Sequence, residues 1–482
     1  MSERALRVHG RRLGFVVLLA AGLTHACSES DAERARPAPS EDGSAGAADA
    51  VGDSASDAAV DRSVGDAAQD TGPDVATADT GAVCDAGVTP TPTGRTIEVT
   101  PSMTLDSALG EAAAGDRIVL RAGTYPAEQI SNRQFTDYVF VEAAAGESVT
   151  LAGATFRSCA KLAFRGLEFN GTVQLDGSSD FTFHEVTFDA GQSTEAALHI
   201  HGQGTAGASH DVLVADSVLR GGGRTVFVLG RFAPSDQWNH HLTFVNNEVT
   251  CGSRVCFQIS GGRDMRIEQN RINGTTTSGV LTAGATRVEI SRNRFLGASG
   301  SQAAMQIATP GMEWDNYAGV ENMISSAISI ANNVVDGWST AVQLDAARDV
   351  AIVFNTVADG TGIRFNHRTP HDQSGAVILD GNQEIRVWNN VLPSISLASG
   401  ESRPAFESHN LVWVSGGGGT SLITDAPAFG SGTDYPLSSA SPAVDAALVN
   451  AETPLVDFEG HVRGSQPDMG ARELGSVAPA CP

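Results

Sequence analysis

The chain has 482 residues, a length that ordinarily gives two or three domains. Hydrophobic residues make up 41% of it, enough for a substantial core, and Lys161 is the only lysine among 31 basic residues. A formal net charge of −25 excludes a nucleic-acid-binding protein, because a phosphate backbone needs a basic surface to replace its counterions. It does not exclude an acidic polysaccharide, which needs only a local cationic groove.

The N-terminus predicts an export signal over residues 1–26. Four arginines precede an apolar run at residues 13–23, which is too short for a permanent membrane span. The run ends just before Ala26-Cys27, a pair that resembles a bacterial lipobox. That resemblance implies a lipid on Cys27, membrane contact only through this lipid, and an outer-membrane or cell-surface location. Cleavage after Ala26 with free secretion is the alternative.

Residues 27–94 are predicted to be a disordered acidic tether rich in Ala, Asp and Ser. Residues 28–94 hold fourteen acidic residues against three arginines and almost no large apolar residue, so burial cannot offset their ordering entropy. An acidic Ca²⁺-binding tail is the alternative, but the spacing of the aspartates is irregular. The tether is therefore the preferred interpretation.

The cysteine positions predict one local disulfide. Cys251 and Cys256 are close enough in sequence to bridge within one structural unit. Cys84 and Cys481 bracket the folded region and form a second candidate pair, which leaves Cys159 as a buried thiol. No cysteine and histidine spacing indicates zinc.

A short repeat of the form apolar-x-apolar-x-x-Asn-x-apolar fills most of the remaining chain. Its asparagine column comprises Asn247, Asn270, Asn293, Asn333, Asn355, Asn390 and Asn410. The shortest steps are 20, 22, 23 and 23 residues, and the longer ones contain insertions. A period near 22 with alternating apolar positions is too short for paired helices, so each repeat is predicted to be one coil of strands. The column is interpreted as a structural turn ladder, because Asn tolerates a left-handed turn and can bond to Asn in the next coil; a ligand ladder is the alternative.

Both ends of the repeat region carry family motifs. A predicted helix at residues 104–114 with Thr104 as N-cap, a Gly-Asp turn and the strand ending in Ala-Gly-Thr-Tyr resemble the N-terminal cap of the chondroitinase B and alginate lyase family. Residues 441–445, 457–463 and 467–473 resemble the SPAxDxG…DxxGxxR…PDxGAxE tail of secreted bacterial β-helix proteins, with Ala447 replacing one glycine. The resemblance implies an all-β, right-handed parallel β-helix of the pectate-lyase-like superfamily over residues 95–475. It would have about ten coils and a short capping helix, with residues 476–482 as a tail.

A second strand in each coil predicts a groove. Its first and third residues are apolar, so its second and fourth residues are expected to face solvent in two stacked columns. The polar members proposed to bind sugar are Gln174, Asp176, Gln258, Gln306, Gln343 and Asp345. Insertions at residues 202–211, 230–241, 309–326 and 367–376 follow this strand and are expected to wall the groove with Trp238, Trp314 and Tyr317. The alternative is a polar sheet face that only keeps the protein in solution.

The candidate catalytic residues are His199, His201, Arg364 and His367, with Arg231, His240, His241 and His371 nearby. Histidine could take the proton α to a uronate carboxylate while arginine stabilises the charge. The resembling lyases use lysine and arginine near a Ca²⁺ site; Ca²⁺ is therefore a candidate cofactor, but Lys161 lies away from the central groove. The leading hypothesis is a monomeric surface protein that binds or processes a polysaccharide, as a lyase or epimerase if catalytic. A non-catalytic module binding glycans or proteins, and a purely structural stalk, are the alternatives.

Overall fold

The computed structural model describes residues 90–475 except 203–206, 231–236, 275–277, 299–300, 311–323, 373 and 433. The predicted signal peptide, Cys27, most of the tether and residues 476–482 lie outside this set, as do Arg231, Trp314 and Tyr317. Within the described part of the chain the single helix is α1 (Leu105–Glu111), and it is neither long nor apolar enough to cross a membrane.

Almost everything else is short strand, and each strand pairs in parallel with the equivalent strand of the next coil. Sheet A comprises β1 (Thr96–Val99), β2 (Arg117–Leu120), β5 (Gln134–Ala143), β8 (Ala160–Arg165), β11 (Ser179–His184), β14 (His210–Ala215), β17 (Asn239–Val245), β20 (Gly262–Glu268), β23 (Ala285–Ser291), β26 (Ser326–Ala331), β29 (Arg348–Val353), β32 (Gln383–Trp388) and β34 (Phe406–Ser408).

Two further faces complete each coil. Sheet B comprises β3 (Gly123–Tyr125), β6 (Val149–Leu151), β9 (Glu168–Asn170), β12 (Thr187–Asp189), β15 (Val218–Arg220), β18 (Glu248–Thr250), β21 (Arg271–Asn273), β24 (Arg294–Leu296), β27 (Val334–Asp336), β30 (Thr356–Val357), the first part of β33 (Val391–Leu397) and β35 (Leu411–Ser415). Sheet C comprises β4 (Glu128–Ser131), β7 (Ala154–Arg157), β10 (Val173–Asp176), β13 (Ala196–His201), β16 (Arg224–Leu229), β19 (Val255–Ser260), β22 (Ser278–Ala283), β25 (Ala303–Ala308), β28 (Thr340–Asp345), β31 (Thr361–Asn366) and the second part of β33.

One turn of the chain passes through the three sheets in order. The strands β8, β9 and β10 form one such coil. The next coil begins with β11, which lies directly against β8, so that Phe181 pairs with Leu162 on one side and with Val212 of β14 on the other. Neighbouring coils are therefore one strand spacing apart, about 4.8 Å. The predicted coil of strands and the parallel β-helix are confirmed.

The core is a stack of side chains inside the coils. Phe164 and Phe183 stack with centroids 5.2 Å apart, and Phe169 and Phe188 stack at 5.8 Å, in successive coils. All four rings are at most 1% exposed. Each buried ring contributes roughly 1.5–3 kcal/mol, which explains why inward positions repeat as large apolar residues.

The helix α1 closes the N-terminal end. Thr104 is its N-cap, as predicted, and its Oγ1 accepts a hydrogen bond from the Ser107 amide at 3.1 Å. The Glu128 carboxylate accepts from the amides of Leu105 and Asp106 at 2.7 and 2.8 Å. A residue from a later coil thus satisfies helix-end donors that would otherwise lack partners.

The asparagine column is a continuous ladder of buried side chains. Asn270 Nδ2 donates to Asn293 Oδ1 at 3.0 Å, and the same oxygen accepts the Asn270 amide at 2.9 Å. This pattern links all seven asparagines from Asn247 to Asn410. The structural interpretation is confirmed, but its conformational reason needs correction. The left-handed residue is the one before each asparagine, such as Gln269 and Arg292, because that residue makes the turn and aims the next side chain inward.

The C-terminal tail returns along the outside of the coils. Arg463, with a 2% exposed side chain, donates Nη2 to Asn332 Oδ1 at 2.8 Å and to the Gly470 carbonyl at 2.9 Å. Its guanidinium also lies 4.2 Å from the Phe354 ring centroid. Burial lowers the pKa of Arg463 to about 10, so it stays charged at neutral pH. The tail motif is therefore a strap that binds the turn residues of two successive coils.

The Cys251–Cys256 disulfide is present, as predicted, with a Cα–Cα distance of 4.1 Å. Cys159 is a free thiol and 1% exposed, as expected for a small core residue, and burial raises its pKa. Cys84 and Cys481 lie outside the described residues.

Candidate functional site

The second residues of the sheet C strands stack in one column, but the column is not continuously polar. Gln174 pairs with His199, and Gln343 pairs with Gln306 and Arg364. Between His199 and Gln306 the column contains Phe227, Gln258 and Leu281 in that order. The strands β16 and β22 escaped the sequence comparison because their second residues are apolar. The polar surface is therefore divided into an N-terminal part, the isolated Gln258, and a C-terminal part.

The fourth-position side chains are less exposed than expected. Asp176, Ser260 and Asp345 are 6%, 0% and 3% exposed, because neighbouring side chains cover them. Trp238 is 1% exposed, so its ring is buried and does not wall a groove. The ring is buried because this removes a large apolar surface from water. The polar residues around Trp238 in the sequence did not indicate this burial.

Asp345 is the centre of an amide network. Its Oδ2 accepts from Gln306 Nε2 at 2.7 Å and from Gln343 Nε2 at 2.8 Å. Its Oδ1 accepts from Asn366 Nδ2 at 2.7 Å. Three amide donors satisfy this buried carboxylate without a cation. Gln306, Gln343 and Asp345 are brought together as predicted, but they bind one another and present little free hydrogen-bonding capacity.

The predicted pair of His199 and His201 lies beside Asp176. Its ring centroids are 5.4 Å apart, and His199 stacks on Phe227 at 4.9 Å. His201 Nδ1 is 3.5 Å from Asp176 Oδ1, and Asp176 Oδ2 accepts from Arg157 Nε at 2.9 Å. Burial, with smaller effects from His201 and Arg224, lowers the pKa of His199 to about 3.

His199 is poorly suited to be a base. Its Nε2 is buried without a hydrogen-bond partner, so no substrate proton can reach it in this arrangement. Gln258 is also committed, since Nε2 donates to Ser260 Oγ at 3.3 Å and Oε1 accepts from Arg224. This part of sheet C is better described as a packed polar layer than as an open site.

The pair of Arg364 and His367 has the opposite character. Arg364 is exposed and makes no hydrogen bond or ion pair with any part of the chain that is described. His367 follows at the end of β31, and its Nδ1 lies 3.2 Å from Oε1 of Glu401, whose side chain is 2% exposed. A carboxylate can only accept here, so His367 donates from Nδ1 and keeps the lone pair on Nε2.

Glu401 is itself held in place and was missed by sequence reasoning. Its Oε1 accepts from the Asn382 amide at 3.2 Å. The Cβ of any residue replacing Gly381, whose φ is +66°, would lie 2.8 Å from this oxygen. Glu401 is 34 residues after His367 in an irregular loop, and only the fold shows their contact. On the other side, Asp380 Oδ1 lies 3.7 Å from His367 Nε2.

The histidines of the first two insertions, His210, His240 and His241, form a separate group at the beginnings of the sheet A strands β14 and β17. The His210 and His240 rings stack at 4.9 Å, and His240 Nδ1 lies 2.9 Å from His241 Nδ1. Burial, followed by Arg263 and the neighbouring imidazoles, lowers the pKa of His240 to about 4. His240 and His241 therefore belong to sheet A and not to the wall of the sheet C face. His371 forms a local bridge with Val377.

One group of three carboxylate and histidine ligand atoms already lies within metal-binding distance among the described residues. It consists of Asp457, Glu459 and His461 in the tail. Asp457 is 0% exposed, its Oδ1 accepts from the Glu459 and His461 amides, and its Oδ2 accepts from the Glu473 amide. These bonds account for the carboxylate as a turn-forming group. Ca²⁺ binding stays a prediction.

Comparison with known proteins agrees with the architecture. Residues 234–424 match the family model described as right handed beta helix region. No curated protein sequence matches the chain significantly.

Similar solved structures include a pectate lyase, Pel9A, at 16% identity over 80% of this chain and 97% of that one, with a TM-score of 0.43. An alginate lyase of family PL6, AlyGC, is 13% identical over 75% of this chain and 60% of that one, at 0.45. PfbA, a surface adhesin of Streptococcus pneumoniae, is 13% identical over 66% and 85%, at 0.43. The repeat, the three parallel sheets and the family match over residues 234–424 show that the fold is a right-handed parallel β-helix.

Proposed function

We propose that this chain binds an acidic polysaccharide at the Arg364–His367 end of sheet C and removes the proton α to a uronate carboxylate. The proposal rests on Arg364 in strand β31 and on His367 just after the end of that strand, which differ from the packed polar layer around His199. Arg364 is an exposed cation that has no partner among the described residues, and His367 has its Nδ1 fixed by the buried Glu401. An exposed guanidinium can bind a carboxylate through two parallel hydrogen bonds.

The geometry suits proton abstraction next to a carboxylate. Arg364 and His367 are three residues apart, which is about 10 Å along extended chain. The long arginine side chain can bring its guanidinium closer than this to the His367 imidazole. With Nδ1 donated to Glu401, the lone pair on His367 Nε2 is the acceptor for the sugar C5 proton, and Glu401 stabilises the imidazolium formed. Arg364 stabilises the negative charge that develops on the uronate carboxylate.

Two outcomes can follow from the same carbanion. Departure of the substituent oxygen at C4 with its bonding pair, and protonation of that oxygen by the His367 imidazolium or by water, gives an unsaturated uronate; this is a lyase reaction. Delivery of a proton from water to the opposite face of C5 gives the epimer, and His367 then releases the abstracted proton to solvent. Arg157 is paired with Asp176 and Arg224 with Gln258, so the C-terminal part of sheet C, with Arg364, is the favoured binding surface.

The test combines binding and exchange on the full chain. Alginate, pectate and glycosaminoglycans are incubated in D₂O, and deuterium at C5 is measured by NMR together with ultraviolet absorbance of unsaturated products. His367→Ala should lower turnover by about 10²- to 10⁴-fold while retaining binding. Arg364→Ala should weaken binding itself, and Glu401→Gln should lower kcat and change the pH profile. His371→Ala, in the same insertion, is the matched control and should leave both unchanged.

The alternative is a non-catalytic glycan-binding module, which the self-paired amides around Asp345 favour. It predicts binding that depends on Arg364 and no exchange or cleavage of any polymer. No binding to any of the polymers would contradict both proposals and favour a structural stalk.

We also propose that the protein is exported, lipid-anchored at Cys27 and monomeric, as the sequence predicts. The acidic tether would then hold the β-helix away from the membrane. Incorporation of labelled fatty acid into the wild-type chain, and its loss in Cys27→Ala, is the measurement that checks this location.

A further inference from the structure

The structure brings histidines from two successive coils together at one corner of sheet A. His210 begins β14, and His240 lies beside it in the parallel register of β17. Each is followed by a residue in the left-handed conformation, Asp211 at φ 53° and His241 at φ 52°. In a regular strand consecutive side chains point to opposite faces, but this conformation breaks the alternation, so both side chains of each pair lie outside the core.

We propose that His240, His241 and Asp211 bind a divalent transition-metal ion of the Zn²⁺ type. His241 is the shared member of the set. Its Nδ1 lies 2.9 Å from His240 Nδ1 and 3.6 Å from Asp211 Oδ1. Ligand atoms at 2.0–2.1 Å from a tetrahedral zinc ion are about 3.3 Å apart, and these two distances lie on either side of this value. The third pair, His240 and Asp211, lies farther apart than 4.8 Å and must close by side-chain rotation.

The remaining contacts fit the surroundings of such a site. His210 Nδ1 lies 2.7 Å from Asp211 Oδ2, so the imidazole holds one carboxylate oxygen and leaves Oδ1 toward His241. A partner of this kind orients a metal-binding carboxylate. The side chains of Asp211 and His241 are 50% and 58% exposed, so rotation about their side-chain bonds can close the set around one ion. A water molecule would complete the four-coordinate shell.

The ligand chemistry selects the class of ion. Two imidazole nitrogens and one carboxylate suit Zn²⁺, Cu²⁺, Ni²⁺ and Co²⁺, whereas Ca²⁺ prefers six or more oxygen ligands. The site is independent of the proposed polysaccharide site. Five strand spacings, about 24 Å along the solenoid, separate the coil of β16 from that of β31.

The experiment is titration of untagged full-length protein with Zn²⁺ by calorimetry, with Co²⁺ absorption as a second readout of coordination. One Zn²⁺ per chain and a tetrahedral Co²⁺ spectrum are expected. His240→Ala and His241→Ala should each weaken binding by more than tenfold, and His210→Ala, which removes only the orienting partner, by about tenfold. Circular dichroism melting of each variant separates loss of the site from loss of the fold.

The matched control is His461→Ala, because His461 belongs to the group whose ligand atoms already lie within metal-binding distance, Asp457, Glu459 and His461. Binding that survives His461→Ala and is lost in His240→Ala supports the proposal. Absence of saturable Zn²⁺ binding by the wild type, or binding that is unchanged in the His240→Ala, His241→Ala double variant, would overturn it.

Discussion

At the residue scale, the buried asparagine side chains join successive coils by hydrogen bonds. Each ladder asparagine offers both a donor pair and an acceptor. The Asn270 side chain, for example, satisfies backbone groups in its own coil and in the preceding coil, and it donates to the asparagine side chain of the next coil. No other uncharged side chain of this length supplies both functions. The sequence revealed this column because such a need restricts the residue type at each coil from Asn247 to Asn410.

Asn293→Ala is expected to destabilise the protein by several kcal/mol. The substitution removes the hydrogen-bond partner of the Asn270 amide and the side-chain donor to the Ile267 carbonyl, and each buried unpaired group costs about 1–3 kcal/mol. The Asn270 side chain loses one bond but keeps its bonds to the Phe244 and Glu268 carbonyls. The free energy of unfolding in urea measures the loss. Asn273→Ala, in strand β21 and only partly buried, is the control and should change this free energy by no more than about 0.5 kcal/mol.

The lowered pKa of His199 predicts that the free energy of unfolding decreases in acid. Its pKa in the folded state is about 3, below the ordinary value of 6.5, so the unfolded chain binds more protons between these values. The contribution of the neutral ring is complete above pH 6.5 and is lost as the pH falls toward 3. His199→Phe, which preserves stacking on Phe227, should flatten the decline in the unfolding midpoint across this interval. An unchanged pH profile in this variant, or the same flattening in His371→Gln, would contradict the assignment.

At the scale of elements, the strap formed by the tail is the feature that the motif identified without explaining. Its arginine replaces solvent as the donor to three backbone carbonyls, at Asp468, Gly470 and Ala471. It also joins the tail to a turn residue more than a hundred positions earlier, Asn332. The contact of Arg463 with Asn332 requires a fixed spacing within the tail. That spacing alone does not indicate that Asn332 is the partner.

Arg463→Met should destabilise the protein by about 3–5 kcal/mol, because it keeps the apolar stem and removes a buried charge from Glu473 and the carbonyls. Denaturant unfolding measures this free energy. Arg472→Met is the control, since the partner of Arg472 among the described residues is the partly exposed Glu459, and loss of this pair should cost no more than about 1 kcal/mol. Equal losses in the two variants would show that the strap does not depend on the buried guanidinium.

At the scale of the whole molecule, the sequence predicted architecture far better than it predicted the site. Alternation and period determine the coil, because they reflect the inside and outside of every strand. The outward columns were predicted less well, since Phe227 and Leu281 interrupt them and Asp345 is enclosed by amides from three coils. Glu401 meets His367, and Asp211 meets His241, only because the folded chain brings distant residues together. Unlike the asparagine contacts, these contacts are not repeated from coil to coil, so they leave no pattern in the sequence.

The asparagine ladder also makes this protein divisible. Because every rung repeats the same bonds, residues between two successive rungs are a removable unit. Deleting residues 271–293 joins Asn270 to Arg294, which already occupies the register position of Arg271. The shortened chain should fold as a β-helix with one fewer coil, with Asn270 bonded to Asn333, and X-ray crystallography or small-angle scattering would show the shorter rod. Deleting half as many residues should prevent folding. Such chains can therefore grow or shrink in evolution by whole coils, while their loops vary in length without altering the registration of the stack.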